Sequence, residues 1–244
     1  VFMQNRYNFA QDLRVSIRGF GARAAFGIRG VKIMVDGIPL TLPDGQGGVD
    51  SIDLNSAERI EVIRGPASSL YGNASGGVIR IQSERGPRTP FVESGVQAGE
   101  FGLTEYTATT GGQAGPLNYH VNGSSLTYDG FREHSRTERD LINGRFEYAL
   151  PGDATLTAVA NLVDSPVAED PGALTPEQFD DDPSQARERN VTFDGGEQLD
   201  QQRFGLVYRQ PLGRDHELRL RNYYLWREFA NKLPFVDGGS VRFD

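Results

Sequence analysis

The sequence predicts a small α+β domain over residues 1–86, followed by antiparallel strands of a transmembrane β-barrel over residues 87–244. Three observations support this fold class. Short apolar runs separated by glycine fill the first part, the hydrophobic period changes to two from Phe91 onward, and short turns alternate with long loops. No segment reaches the roughly 18 consecutive apolar residues of a transmembrane helix, so a helical membrane protein is excluded.

Short elements are expected in the first part of the chain. Asn55 is expected to cap a single helical turn, with Glu58 completing a capping box. Pro66 and Gly72 delimit a second short helix, because proline favours the first turn of a helix and glycine its end. Such a domain has a thin core and needs an enclosing partner. The predicted strands of this part are residues 15–17, 31–35, 60–63 and 78–81.

About seven strands of roughly 9–12 residues are expected in the second part, the length of a tilted bilayer crossing. The alternation is clear where Ile142, Phe146 and Tyr148 point one way and Arg145 and Glu147 point the other. The predicted strands lie within residues 91–101, 103–112, 117–128, 142–150, 155–162, 203–209 and 217–227.

The connections between these strands fall into two groups. Tight turns at 113–116, 150–153 and 210–213 lie at one end, and charged loops at 129–139 and 165–197 lie at the other. This arrangement is typical of outer-membrane barrels. A soluble β-sandwich shares the alternation, but its strands usually have about 5–6 residues and its loops are not one-sided.

The charge distribution excludes several function classes. Residues 165–200 hold ten acids against two arginines, an imbalance equal to the net charge of −8 of the whole chain. The sequence lacks the basic stripe that nucleic-acid binding requires. The absence of cysteine excludes a disulfide scaffold and a thiolate metal site. The three histidines are far apart in the sequence, so we expect no metal site; they are His120, His134 and His216. No Ser/His/Asp arrangement is evident, and we expect no catalytic residues and no bound cofactor.

Two alternatives from other classes remain open at this point. Residues 19–24 fit the pattern G-x-G-x-x-A, which would make the chain a soluble nucleotide-binding enzyme with a helix after Gly21. Gly27 and Gly30 would interrupt that helix, and the next strand begins at Val31. The second alternative is a surface β-protein that acts as an adhesin.

Ordered motifs in the first part resemble the plug domain of TonB-dependent outer-membrane receptors. They are residues 16–20 (SIRGF), 35–39 (VDGIP), 60–72 (IEVIRGPASSLYG) and 74–79 (ASGGVI). The resemblance implies a plug over 1–86 and the first strands of a 22-stranded barrel over 87–244. It also implies that this sequence is a piece of a longer outer-membrane protein, and that the TonB box of that protein lies outside the piece. A finer resemblance, to the branch that contains the pyrroloquinoline quinone receptor, rests on residues 8–12, 21–23, 26–30 and 43–47.

The function that the resemblance implies is import rather than catalysis. Such a receptor binds a scarce nutrient outside the bacterial cell and passes it to the periplasm with energy delivered by TonB. The implied ligand is the quinone cofactor or a ferric chelate such as a siderophore, and the implied partners are TonB and outer-membrane lipid.

The resemblance also implies where substrate is bound, at apical plug loops and extracellular barrel residues. The candidates are Phe20, Arg23, Phe26, Arg29, Asp44, Gln46, Phe131 and Arg132. A phenylalanine could stack on a planar ligand, and an arginine could pair with carboxylates. Residues 1–86 hold ten basic and eight acidic side chains, and this net charge of +2 favours an anionic ligand. Glu61 and Arg64 are expected instead to form ion pairs that fix the plug to the barrel.

Overall fold

The computed structural model describes residues 1–4, 8–11, 13–24, 27–234 and 240–243. The N-terminal part forms three small sheets, and the remainder forms one large sheet whose inward face packs against the N-terminal part.

Very short elements make up the N-terminal part, as the sequence predicts. Its four-stranded sheet has the order β5-β4-β8-β7, in which β4 and β8 are parallel, while β1 pairs with β2 and β3 with β6. The elements are β1 (Phe2–Gln4), β2 (Arg14–Ser16), β3 (Ile28–Arg29), β4 (Val31–Val35), β5 (Ile38–Pro39), β6 (Gln46–Gly47), a 3-10 helix (Leu54–Ser56), β7 (Ala57–Arg64), α1 (Ser68–Tyr71) and β8 (Gly77–Ser83).

The core of the N-terminal part lies on both faces of β4. Val31, Ile33 and Val35 belong to one buried cluster, and Met34 belongs to a second. A strand that is buried on both faces has an apolar rather than an alternating sequence, and residues 31–35 follow this pattern except at Lys32, which is half-buried.

Two expectations for the N-terminal part are corrected. The 3-10 helix is capped by Asp53, whose carboxylate accepts from the Asn55 backbone N–H at 2.9 Å, while Glu58 lies in β7. The capping box on Asn55 is therefore wrong, because the chain enters β7 after one turn. The nucleotide-binding alternative is also contradicted: among the described residues, Gly21 begins a turn and β3 follows, so no helix N-terminus is available.

The second part is an eight-stranded antiparallel sheet in sequential order. The seven predicted strands are all present, but several are longer because they continue beyond the apolar segments into the charged regions. An eighth strand of four residues is added at the end. The strands are β9 (Phe91–Ala98), β10 (Thr104–Ala114), β11 (Leu117–Tyr128), β12 (Thr137–Ala149), β13 (Thr155–Glu169), β14 (Gly196–Leu212), β15 (His216–Lys232) and β16 (Ser240–Phe243).

The two ends of the large sheet differ as predicted. Connections 115–116, 150–154 and 213–215 lie at the short-turn end, whereas 129–136 and 170–195 lie at the long-loop end. The longest connection contains two helices that the sequence analysis did not predict, α2 (Pro176–Asp181) and α3 (Glu188–Thr192). No helix in the described part of the chain is long and apolar enough to cross a membrane.

The large sheet has one apolar and one polar face. Its outward side chains are exposed, and they include Ile142, Phe146, Phe204, Leu206, Leu220 and Tyr224. The residues between them face the N-terminal part, and they include Asn143, Arg145, Asn161, Gln201 and Arg203. This period of two confirms the alternation that the sequence predicts.

Candidate functional site

Contacts with β15 fix the direction of the N-terminal part. A Cβ on Gly37, which follows β4, would lie 3.3 Å from Arg221 Nε, and one on Gly48 would lie 3.8 Å from Arg227 Nη2. Because β15 runs from the short-turn end to the long-loop end, Gly37 lies nearer the short-turn end than Gly48 does. The β3–β6 pair, adjacent to Gly48, therefore lies towards the long loops.

Three predicted site residues meet at this upper end. Pairing of β3 with β6 places Arg29 opposite Gln46. The Arg29 guanidinium donates to Asp44 Oδ2 at 3.3 Å, to the Asp44 carbonyl at 3.2 Å and to Gln46 Oε1 at 3.1 Å. Asp44 Oδ1 accepts from the Gln46 backbone N–H at 3.0 Å. The Arg29 side chain is 49% exposed, so this cluster is reachable from the long-loop end.

Phe20 and Arg23 lie in the preceding loop. Phe20 is half-exposed and packs on backbone, because a Cβ on Gly30 would lie 3.5 Å from the phenylalanine Cβ and one on Gly76 would overlap it. Arg23 is exposed in the turn that begins at Gly21. Phe26 lies outside the described residues. A role for these three residues in ligand binding stays a prediction.

Phe131 and Arg132 belong to loop 129–136. Phe131 packs edge to face on Phe101, with ring centroids 5.3 Å apart. Arg132 donates to the carbonyls of Pro171 (3.1 Å), Gly172 (2.6 Å) and Gln185 (2.8 Å). Burial lowers the pKa of Arg132 from its ordinary value, and the charge of Asp170 acts in the opposite direction. Arg132 thus holds loop 170–195, and ligand contact by either residue stays a prediction.

Glu61 and Arg64 lie on β7. Glu61 pairs with Arg59 at 3.0 Å and with Arg80 at 3.1 Å, both within the same small sheet. Arg64 is exposed at the end of the strand. The predicted ion pairs between Glu61 or Arg64 and the barrel are not among the contacts of the described residues, and they stay a prediction.

A row of three amide side chains and one guanidinium, which sequence reasoning missed, joins the N-terminal part to the large sheet. This row, the polar belt, consists of Asn143, Asn161, Gln201 and Arg227 on strands β12 to β15. Asn161 donates to Asn143 at 2.7 Å and accepts from Gln201 at 3.3 Å, and Arg227 donates to Gln201 at 2.8 Å. The missed signal was amides at inward positions of neighbouring strands.

The polar belt holds one segment of the N-terminal part, residues 50–53. Arg227 pairs with Asp50 at 3.2 Å, and Asn161 donates to the Ser51 carbonyl at 3.1 Å. Asn143 donates to Asp53 at 3.3 Å, so the same carboxylate that caps the 3-10 helix also contacts the sheet. The segment is thus fixed at both ends.

Below the polar belt lies a small cavity of about 20 Å³ between the two parts. Its lining includes Asp36, Asn143 and the buried Arg203. Asp36 accepts from the Ser83 backbone N–H at 2.9 Å and from the Ser83 hydroxyl at 2.6 Å. Among the described residues, Arg203 Nε and Nη1 have no hydrogen-bond partner, and a polar cavity of this size has room for one water molecule that can bind them.

The described residues contain no group of three or more histidine, aspartate or glutamate side chains that could hold a metal ion. His120 is buried beside Glu84, with His120 Nε2 3.7 Å from Glu84 Oε2.

Comparison with protein families decides what the N-terminal part is. Residues 1–78 match the family described as TonB-dependent Receptor Plug Domain. These residues are a plug domain of TonB-dependent receptors. Such receptors are proteins of the bacterial outer membrane, and the strands that follow the plug resemble their barrels. The outward face of β12 to β15 exposes apolar side chains, a pattern that strands of membrane-spanning barrels share.

Relatives by sequence extend the similarity from the plug into the barrel strands. The metal-pseudopaline receptor CntO of Pseudomonas aeruginosa is 26% identical over 183 residues, 73% of this chain and 26% of that protein. The metal-pseudopaline receptor CntO of a second Pseudomonas aeruginosa strain is 25% identical over 206 residues, 81% of this chain and 29% of that protein. The pesticin receptor of Yersinia pestis is 28% identical over 134 residues, 53% of this chain and 19% of that receptor. The chain thus spans less than a third of the length of these relatives, each of which is named as a receptor.

Solved structures share the fold. The ferric yersiniabactin uptake receptor FyuA from Yersinia pestis superimposes with a TM-score of 0.75 at 17% identity, over 94% of this chain and 37% of that one. The copper transporter OprC gives a TM-score of 0.69 at 16% identity, over 94% of this chain and 34% of that one. These similarities confirm the predicted fold class, a plug followed by antiparallel barrel strands.

Proposed function

We propose that this chain belongs to a receptor that imports a metal chelate across the outer membrane with energy delivered by TonB. The observation that carries the proposal is the similarity to metal-pseudopaline receptors, which covers up to 81% of the chain and includes both plug and strands. We propose that the plug occupies residues 1–86 and the barrel strands residues 87–244, with outer-membrane lipid on the outward face. A transport role needs no catalytic residue and no resident cofactor.

The Arg29 cluster supplies the chemistry that an anionic chelate needs. The Arg29–Asp44 pair is about half-exposed, and ion pairs of this kind contribute only about 0–1 kcal/mol. A ligand carboxylate can therefore replace Asp44 at the guanidinium with little loss. Gln46 then offers an amide N–H to the same ligand. Phe20, Arg23, Phe26, Phe131 and Arg132 remain further candidates for ligand contact.

A quinone cofactor is the second candidate ligand. The finer resemblance to the branch of the pyrroloquinoline quinone receptor favours it, on residues 8–12, 21–23, 26–30 and 43–47. Both ligands are anionic, so the Arg29 cluster alone does not separate them.

Calorimetric titration of the receptor in detergent tests the proposal. Metal-loaded chelates are compared with pyrroloquinoline quinone, first on the unchanged receptor and then on Arg29→Ala. Arg59→Ala is the matched control, because Arg59 also contacts one carboxylate and one amide, Glu61 and Gln82, and its side chain is 58% exposed. Register with β8 places Arg59 nearer the short-turn end, away from the Arg29 cluster.

We expect saturable binding of a chelate, weakened about tenfold or more by Arg29→Ala and unchanged by Arg59→Ala. Binding of the quinone without binding of any chelate would replace the first candidate by the second. Equal affinities in the two variants would remove Arg29 from the site.

A further inference from the structure

Loop 170–195 has a defined internal structure. Thr175 and Gln178 form a capping box at the start of α2. Asn190, in α3, is 1% exposed, and its Nδ2 donates to the Asp170 carbonyl at 2.9 Å. The Asp170 backbone N–H donates to the Gly195 carbonyl at 2.9 Å, so the two ends of the loop are joined at Asp170.

Loop 129–136 holds the longer loop from the side. Arg132 donates to three of its carbonyls, as described above, and the Glu133 backbone N–H donates to the Ser184 carbonyl at 2.8 Å. His134 Nε2 donates to the Gly195 carbonyl at 2.8 Å. These contacts make the two loops one body, which we call the loop pair.

In the described part of the chain, the Asp170 carboxylate joins the loop pair to residues 8–11 of the plug. Asp170 Oδ1 accepts from Asn8 Nδ2 at 2.7 Å, and Asp170 Oδ2 accepts from Gln11 Nε2 at 2.9 Å. Oδ1 also accepts from the Gly172 backbone N–H at 2.9 Å, which fixes the direction of the carboxylate. Both oxygens are therefore engaged with residues 8–11, and a hydrogen bond to a charged group contributes more than a neutral one.

Residues 8–11 form a small turn that also contacts the barrel wall. The Gln11 backbone N–H donates to the Asn8 carbonyl at 3.2 Å, and Asn8 Oδ1 accepts from the Ala10 N–H at 3.0 Å. The Phe9 ring lies 6.0 Å from the Tyr128 ring. Asn8 thus uses one end of its amide to shape the turn and the other to reach Asp170.

We propose that Asp170 is a latch between the loop pair and the N-terminal segment of the plug, so that opening of the loops and release of residues 8–11 are one coupled event. The coupling regulates access to the site beneath the loops, and this consequence alone rests on the proposed function. A carboxylate that bonds two side-chain amides of one turn cannot leave one without weakening the other. Ligand-driven movement of either element is therefore transmitted to the other.

Hydrogen exchange of the receptor without ligand tests the latch, so its result does not depend on which ligand is bound. Asp170→Ala removes both acceptors, and Asn8→Ala with Gln11→Ala removes both donors from the opposite side without changing any loop residue. Asp182→Ala is the matched control: it lies in the same loop, and its carboxylate bonds only to Ser184 among the described residues.

We expect Asp170→Ala to speed exchange about tenfold or more in both 8–11 and 170–195. The Asn8→Ala, Gln11→Ala variant should speed exchange in 170–195 to a similar degree, and the triple variant should add nothing to either. Asp182→Ala should affect only the residues around Ser184. Exchange in 170–195 that is unchanged by the plug-side variant overturns the proposal, even if Asp170→Ala disturbs its own loop.

Discussion

Replacement of Asn161 by leucine tests the polar belt as the attachment of segment 50–53. Asn161 is 2% exposed and makes three hydrogen bonds, to Asn143, to the Ser51 carbonyl and from Gln201. Leucine has a similar volume, so little is lost in packing, but the Ser51 carbonyl loses its donor, and Asn143 and Gln201 each lose a partner within the belt. Only the bond to Ser51 joins the sheet to the segment, so the segment should lose about 1–2 kcal/mol of local stability, roughly 5–30-fold in its opening equilibrium.

Hydrogen exchange at Ile52 measures this loss, because its backbone N–H donates at 3.0 Å to the carbonyl of Val49, the residue just before the segment. Asn222→Leu is the control, since Asn222 is exposed on the outward side of β15 and the same substitution there removes no contact with the plug. A change in Ile52 protection of less than about threefold, or an equal change in the control, would refute the assignment of Asn161 as an anchor.

Three further predictions concern other contacts. Gly205→Ala should lower the local stability of the β4–β5 hairpin, measured by hydrogen exchange, by about 1–3 kcal/mol, because the added Cβ overlaps Ile38 Cδ1. Adding Ile38→Val should restore part of that stability, and no restoration would contradict the contact. Arg132→Ala should speed proteolysis of loop 170–195 about tenfold or more, and unchanged cleavage would show that the carbonyl contacts contribute little. Side-chain and backbone hydrogen bonds from Ser184 hold the pKa of Asp182 below its ordinary value. The stabilisation from these bonds is therefore complete at neutral pH and is lost as the pH falls through the lowered pKa. A Ser184 amide NMR signal that does not move on acidification would contradict this.

Local chemistry made much of the fold predictable. The barrel strands were found because outward apolar and inward polar side chains alternate, and α1 because proline precedes it and Gly72, at φ +74°, ends it. The helix α2 was missed although Thr175, Pro176 and Gln178 carry a recognisable capping signal. The eighth strand, four residues long, is too short for a period of two to be evident.

The candidate site was predictable only where sequence neighbours meet. Arg29, Asp44 and Gln46 come together because two short strands of adjacent loops pair. Contacts between distant segments carry no local signal. An arginine in an extracellular loop reads equally as a ligand contact or as a structural residue, and only the fold shows that Arg132 reaches the Gln185 carbonyl 53 residues away.

The attachments described between plug and barrel are mainly polar, and this has a consequence for movement. The belt and the Asp170 contact replace hydrogen bonds to water by hydrogen bonds between protein groups, a nearly balanced exchange. An apolar interface would instead cost about 25 cal/mol for each Å² exposed on separation. The apolar core of the plug is its own, centred on β4, so the plug can keep its internal packing while water replaces its partners in the barrel wall. The contacts of Ile38 with Gly205 and of the Phe9 ring with the Tyr128 ring are apolar exceptions, and each involves a single side chain of the plug.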